Sequence, residues 1–154
     1  IDLERFAVYY ISNNINNNRN NSDTLELNPT PYGATDPALS RYITKSVELD
    51  DSVEALGLYV YLNAYKPYAG SLKVYMRSLP YGVQSGIEDI EWVELTYVSG
   101  RNSVNSNDYV DLQYKLDPEI SRYGIFQVKI VFASSDTTNC PRVRNMRAIV
   151  VWNQ

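Results

Sequence analysis

Leu56, Leu58, Val60, Leu62 and Ala64 alternate with Gly57, Tyr59, Tyr61, Asn63 and Tyr65. Side chains two positions apart share one face of an extended strand, so this run predicts an apolar face backed by a tyrosine face. The same rhythm sets Leu72, Val74 and Met76 against Lys73, Tyr75 and Arg77. It returns in Val110, Leu112, Tyr114 and Leu116 against Asp111, Gln113 and Lys115, and in Phe126, Val128, Ile130 and Phe132 against Gln127 and Lys129. No window sustains a helical period. Short alternating runs separated by Gly, Pro and Asn predict an all-β chain: a jelly-roll-like β-sandwich of about eight strands in two sheets, with minimal helix confined to single turns.

Three further runs are read in the same way. In residues 41–49, Ile43, Val47 and Leu49 share a face with Lys45, and Tyr42, Thr44, Ser46 and Glu48 take the other. Residues 92–98 read as one strand. In residues 146–152, Met146, Ala148, Val150 and Trp152 alternate with Arg147, Ile149 and Val151, which leaves both faces apolar near the end and calls for something to cover them. Ahead of the sandwich, Phe6, Val8, Tyr9, Tyr10 and Ile11 predict a strand over residues 3–11. The Asn-rich residues 13–23 favour a long polar loop. Pro29, Pro31, Gly33 and Asp36-Pro37 predict an irregular crossing. Asp36-Pro37 and Asp117-Pro118 head two similar segments, each read as an Asp-capped turn before a strand. The expected organisation is an arm over residues 1–39 and a sandwich over residues 40–154 within one domain. The absence of an initiating Met and the stop at Gln154 suggest a piece of a longer polypeptide.

Composition removes several function classes. A domain of 154 residues buries roughly 70% of the surface its unfolded chain exposes, enough for a core without metal or disulfide staples. The net charge of -4 gives a field that repels a phosphate backbone, so no nucleic-acid partner is expected. No apolar run approaches the roughly 20 residues of a spanning helix, and no membrane partner is expected. Cys140 is the only cysteine, which forbids an internal disulfide and fits a reducing cytoplasm.

The chain contains no His, which removes Ser–His–Asp and Cys–His chemistry and the commonest metal ligand. Catalytic residues, metal ligands and cofactors are accordingly expected to be none, and the chain is read as not an enzyme. Two acidic groups, Asp50-Asp51 and Glu88-Asp89-Ile90-Glu91, are the candidates for glycosidase-type carboxylates, and they fall in segments read as solvated loops. Oxygens of Asp50, Asp51 or Asn107-Asp108 are conceivable calcium ligands, without the spacing of an EF-hand.

The surface signal is aromatic. Tyr59, Tyr61 and Tyr65 share one side of a strand, and Tyr75 joins them if the next strand pairs alongside. Such a platform is core, a protein-interface hot spot or a stacking surface for sugar rings. Arg142, Arg144 and Arg147 form a basic group before the last strand, suited to holding carboxylates of a neighbouring copy or to local salt bridges.

Arg41-Tyr42-Ile43-Thr44-Lys45, Val47, Leu49, Tyr61-Leu62-Asn63-Ala64-Tyr65-Lys66-Pro67, Leu72-Lys73-Val74-Tyr75, Trp92, Pro141-Arg142-Val143 and Arg147-Ala148-Ile149 appear in that order. Together they resemble a β-sandwich segment of virion structural proteins of tailed phages, in particular baseplate proteins of the contractile-tailed, T4-like group. The resemblance spans most of residues 40–150 and leaves out the Asn-rich part. It implies a non-enzymatic tail or baseplate component, assembled in the host bacterial cytoplasm into a virion. The expected partners are other virion proteins and further copies of the chain as a homo-oligomer. The alternative is a carbohydrate-binding sandwich in host-surface recognition, with a glycan on the tyrosine platform.

Overall fold

A computed structural model describes residues 27–28, 36–37, 40–50, 55–80, 82–83, 86–117, 122–136 and 138–152. The strand over residues 3–11, the Asn-rich residues 13–23, Asp51 and the segment from Pro118 through Ser121 lie outside them. In chain order the strands are β1 (Leu27–Asn28), β2 (Asp36–Pro37), β3 (Ser40–Ile43), β4 (Val47–Glu48), β5 (Ala55–Tyr65) and β6 (Gly70–Leu79). They continue with β7 (Val93–Glu94), β8 (Thr96–Ser99), β9 (Val110–Lys115), β10 (Ile125–Ser134) and β11 (Arg142–Trp152). The one helical element among the described residues is a single 3-10 turn, Ile87–Asp89. β1 and β2 form a separate small ladder, so Asp36-Pro37 stands in an extended pair and not at the head of a turn.

Two antiparallel sheets make the sandwich. The first runs β3-β10-β6-β7 with β4 also on β10, and the second runs β11-β5-β9-β8. Consecutive strands repeatedly change sheets, at β4 to β5, β5 to β6, β7 to β8, β9 to β10 and β10 to β11. That interleaving ties the two layers of the sandwich together.

The core sits between the layers, where the alternation put it. Leu58, Val60, Leu62 and Ala64 of β5 meet Val143, Met146, Ala148 and Val150 of β11 and Val110, Leu112 and Tyr114 of β9. Opposite them stand Leu72, Val74 and Met76 of β6 and Phe126, Val128, Ile130 and Phe132 of β10. Tyr114 spans the gap, its hydroxyl donating to the Leu72 carbonyl oxygen at 2.7 Å. Tyr123 does the same service at the core's end, donating to the Gly57 carbonyl oxygen at 2.8 Å. A buried carbonyl thereby keeps its partner and the apolar layer stays intact.

Where the faces of a strand switch, an extra residue is the reason. From Tyr42 to Val47 the chain advances five positions while their partners on β10, Ile130 and Phe126, differ by four. The bulge flips every side chain beyond it to the opposite face. Tyr42 therefore packs on the core, Thr44 is buried, Ile43 points to solvent, and Val47 and Leu49 turn inward again. Thr44 fills the gap in the ladder, since its hydroxyl accepts from the Val128 amide at 3.0 Å. The single face expected for Ile43, Val47 and Leu49 is thus two faces joined at residues 44–46.

A second bulge lies in β5, where Val151 pairs with Gly57 but Trp152 pairs with Ala55. Leu56 is the extra residue; Ala55 occupies the core position and Leu56 is only half-buried. Trp152, expected on the core face, is 39% exposed. Residues 92–98 are also not one strand. β7 pairs with β6 and β8 pairs with β9, and buried Leu95 is the pivot between the sheets, its amide donating to the Val74 carbonyl oxygen at 2.8 Å.

Candidate functional site on the outer face of the second sheet

The outward side chains of β5 are Tyr59, Tyr61, Asn63 and Tyr65, and the register fixes what stands beside each. On the β11 side, Ile149 faces Tyr59, Arg147 faces Tyr61, Asn145 faces Asn63 and Arg142 faces Tyr65. On the β9 side, Lys115 faces Tyr59, Gln113 faces Tyr61 and Asp111 faces Asn63. Directly opposed residues on one sheet face are close enough to interact. Each tyrosine ring carries a cation: Arg142 lies 4.6 Å from the Tyr65 centroid, Arg147 5.1 Å from Tyr61, and Lys115 5.9 Å from Tyr59. Contacts of this kind stabilise by about 0.5–1 kcal/mol each where water has access.

The two groups singled out in the sequence thereby become one surface, because β5 and β11 are neighbours. Arg144 is placed there by a third bulge. Val143 pairs with Ala64 and Asn145 with Asn63, so Arg144 is the additional residue of β11. It is exposed and reaches over Tyr109 at 4.6 Å. Among the described residues, none of Arg142, Arg144 and Arg147 forms an ion pair; the ion pairs there are Lys73 with Glu94 and Arg101 with Asp108.

Tyr75 does not belong to this platform. β5 and β6 lie in different sheets, and Tyr75 is buried on the outer face of the first. The Lys129 ammonium sits 4.9 Å from its ring and 4.6 Å from Trp92, and the Arg77 guanidinium sits 4.4 Å from Trp92. Lys129, read as a solvent-facing partner in an alternating strand, is 1% exposed. The aromatic residues that cover it, Tyr75 on the neighbouring strand and Trp92 beyond it, are invisible to periodicity.

Between β11, β5 and β9 the tyrosine face holds a groove of about 430 Å³ lined by Tyr61, Asn63, Asp111, Arg144, Asn145 and Arg147 among others. Asn63 Nδ2 donates to Asp111 Oδ1 at 2.9 Å. Two atoms of this lining are shielded from solvent without a hydrogen-bond partner: Asn63 Oδ1, an acceptor, and Arg147 Nε, a donor. Leaving such a group unsatisfied costs about 1–3 kcal/mol. They are the only two buried side-chain orphans among the described residues, and both line the same groove. Asn63, Asp111, Lys115 and Tyr109 were not predicted as site residues. Asn63 sat in plain view within the tyrosine run, but its neighbours depend on strand pairing.

The acidic candidates do other work. Asp108 takes a forked contact from Arg101, Nη1 at 2.6 Å and Nη2 at 2.9 Å, and accepts the Val104 amide at 2.9 Å. These contacts hold its carboxyl down at about 2, with the Arg101 hydrogen bonds the largest cause. It closes the loop between β8 and β9. Glu88, Asp89 and Glu91 are exposed around the 3-10 turn. Among the described residues no three His, Cys, Asp or Glu side chains gather to hold a metal ion. No described helix is long and apolar enough to cross a membrane. Comparison with protein-family models, with curated proteins and with solved structures found no match to this chain.

Proposed function

We propose that the chain is a non-enzymatic assembly module of a virion, of the tail or baseplate kind, which joins further copies of itself and neighbouring virion proteins along the edge of its second sheet. The observation that carries this reading is β11. It has eleven residues and pairs on one side with β5, and no described strand pairs with its other side. Beyond the Arg144 bulge its register runs regularly to Val151, with half-buried Ile149 and Val151 and exposed Trp152 at the end. Long edges with apolar side chains template the addition of another strand unless they are covered. The order of segments resembling baseplate sandwiches supports the same reading.

Sedimentation velocity over a concentration series tests it. Association that rises with concentration is expected for the parent chain. Trp152→Lys sets a charge on the edge and should weaken that association with the β-sheet circular dichroism unchanged. A parent chain that sediments as a monomer throughout contradicts the reading.

A second reading, carbohydrate binding, draws on a separate observation, the groove on the tyrosine face with its two unsatisfied atoms. An added strand at the β11 edge extends the sheet sideways and leaves that face open, so the two readings are compatible.

A further inference from the structure

Resting on that second reading, we propose that the groove bounded by Tyr61, Asn63, Asp111 and Arg147 is the binding site for a single sugar ring presenting adjacent hydroxyls. One of these hydroxyls donates to Asn63 Oδ1 and another accepts from Arg147 Nε. The chemistry of the lining selects the ligand class. Asn63 Oδ1 needs a donor and Arg147 Nε needs an acceptor. A hydroxyl serves as either, and neighbouring ring hydroxyls supply both roles at once. A carboxylate or fully ionised phosphate, although drawn by Arg144 and Arg147 of the same lining, carries no proton to donate to Asn63 Oδ1 and meets the Asp111 carboxylate in repulsion. The Asp111 carboxylate, already fixed by Asn63 Nδ2, retains acceptor capacity for a further hydroxyl. The volume of about 430 Å³ is within the range of small-molecule sites.

Both orphan atoms are closed to solvent in the free chain, so binding includes a movement. Arg147 lies on the Tyr61 ring at 5.1 Å. When its long side chain lifts, the ring face is bared for the sugar's C–H side and the guanidinium Nε turns toward the groove. The sugar exchanges a cation–ring contact for a stacked ring and two hydrogen bonds that the free chain leaves unmade.

Nuclear magnetic resonance titration of the full chain decides the matter, with glucose, galactose, mannose and N-acetylglucosamine as probes and inorganic phosphate as the anionic comparison. It is carried out on Trp152→Lys so that self-association does not enter. At least one sugar is expected to shift the Asn63 side-chain amide and Arg147 Nε–H resonances in a saturable way, and phosphate is not. Arg147→Lys keeps the charge and removes the Nε donor, and is expected to weaken that sugar by about tenfold, the loss of one hydrogen bond. Sugar-induced shifts confined to residues outside the groove would overturn this site and leave carbohydrate binding standing. Silence with every sugar would remove both. Phosphate shifting the same two resonances as strongly as any sugar, or undiminished binding by Arg147→Lys, would also overturn it.

Discussion

Single side chains in this chain act mainly by giving buried backbone groups a partner. Tyr114 and Tyr123 each donate to a carbonyl that water cannot reach. Replacing either by Phe keeps the ring and leaves the carbonyl bare, a loss of about 1–2 kcal/mol expected in urea unfolding. Burial pushes the pKa of both hydroxyls up from the usual tyrosine value. The folded chain therefore keeps them neutral where the unfolded chain ionises. Their contribution is complete below about pH 10 and declines as the pH rises beyond it. Unfolding midpoints measured through the alkaline range should fall for the parent chain, and less steeply for the doubly substituted Phe variant. Asp108 works in the opposite direction. Its carboxyl is held at about 2 by Arg101, so the loop it closes is expected to stay tied as the pH drops through the ordinary carboxylate range and to loosen only near that value. The Val104 amide shift, followed against pH, reports it.

At the scale of strands, faces were legible in the sequence and registers were not. The core of β5, β6, β9 and β10 follows from alternation alone, because burial on one side of a strand forces a period of two. Four departures came from one residue too many: within residues 44–46, at Leu56, at Val98 and at Arg144. A bulge leaves no mark in hydropathy, since it is defined by the partner strand. The condition for Tyr75 to join the platform, that β6 pair with β5, is not met for the same kind of reason, as consecutive strands with equal alternation either pair or cross to the other layer. The groove was half legible: Tyr61 and Arg147 were each singled out, but their adjacency is a fact of pairing. Bulges also make a sharp prediction. Deleting Arg144 restores a regular ladder with Val143 and Met146 still inward, and should leave the fold intact. Deleting Arg147 reverses Ala148 and Val150 to the outside and turns the larger Ile149 and Val151 inward, which should cost about 1–3 kcal/mol through overpacking, as seen by denaturant titration of the two deletions.

For the whole molecule, stability and function are set on different surfaces. The interior is a continuous apolar layer between the sheets, and Leu62→Ala within it is expected to cost about 2–5 kcal/mol without touching either outer face. The outside carries the β11 edge and the tyrosine–arginine face, and the proposed assembly depends on the edge. Amide hydrogen exchange along β11, compared between dilute and concentrated solution, tests that dependence at the atoms concerned. Within residues 145–151, the alternate amides that point away from β5 are predicted to gain protection as concentration rises, with the amides of β5 unchanged. Exchange along β11 that is the same at both concentrations would contradict the assembly reading.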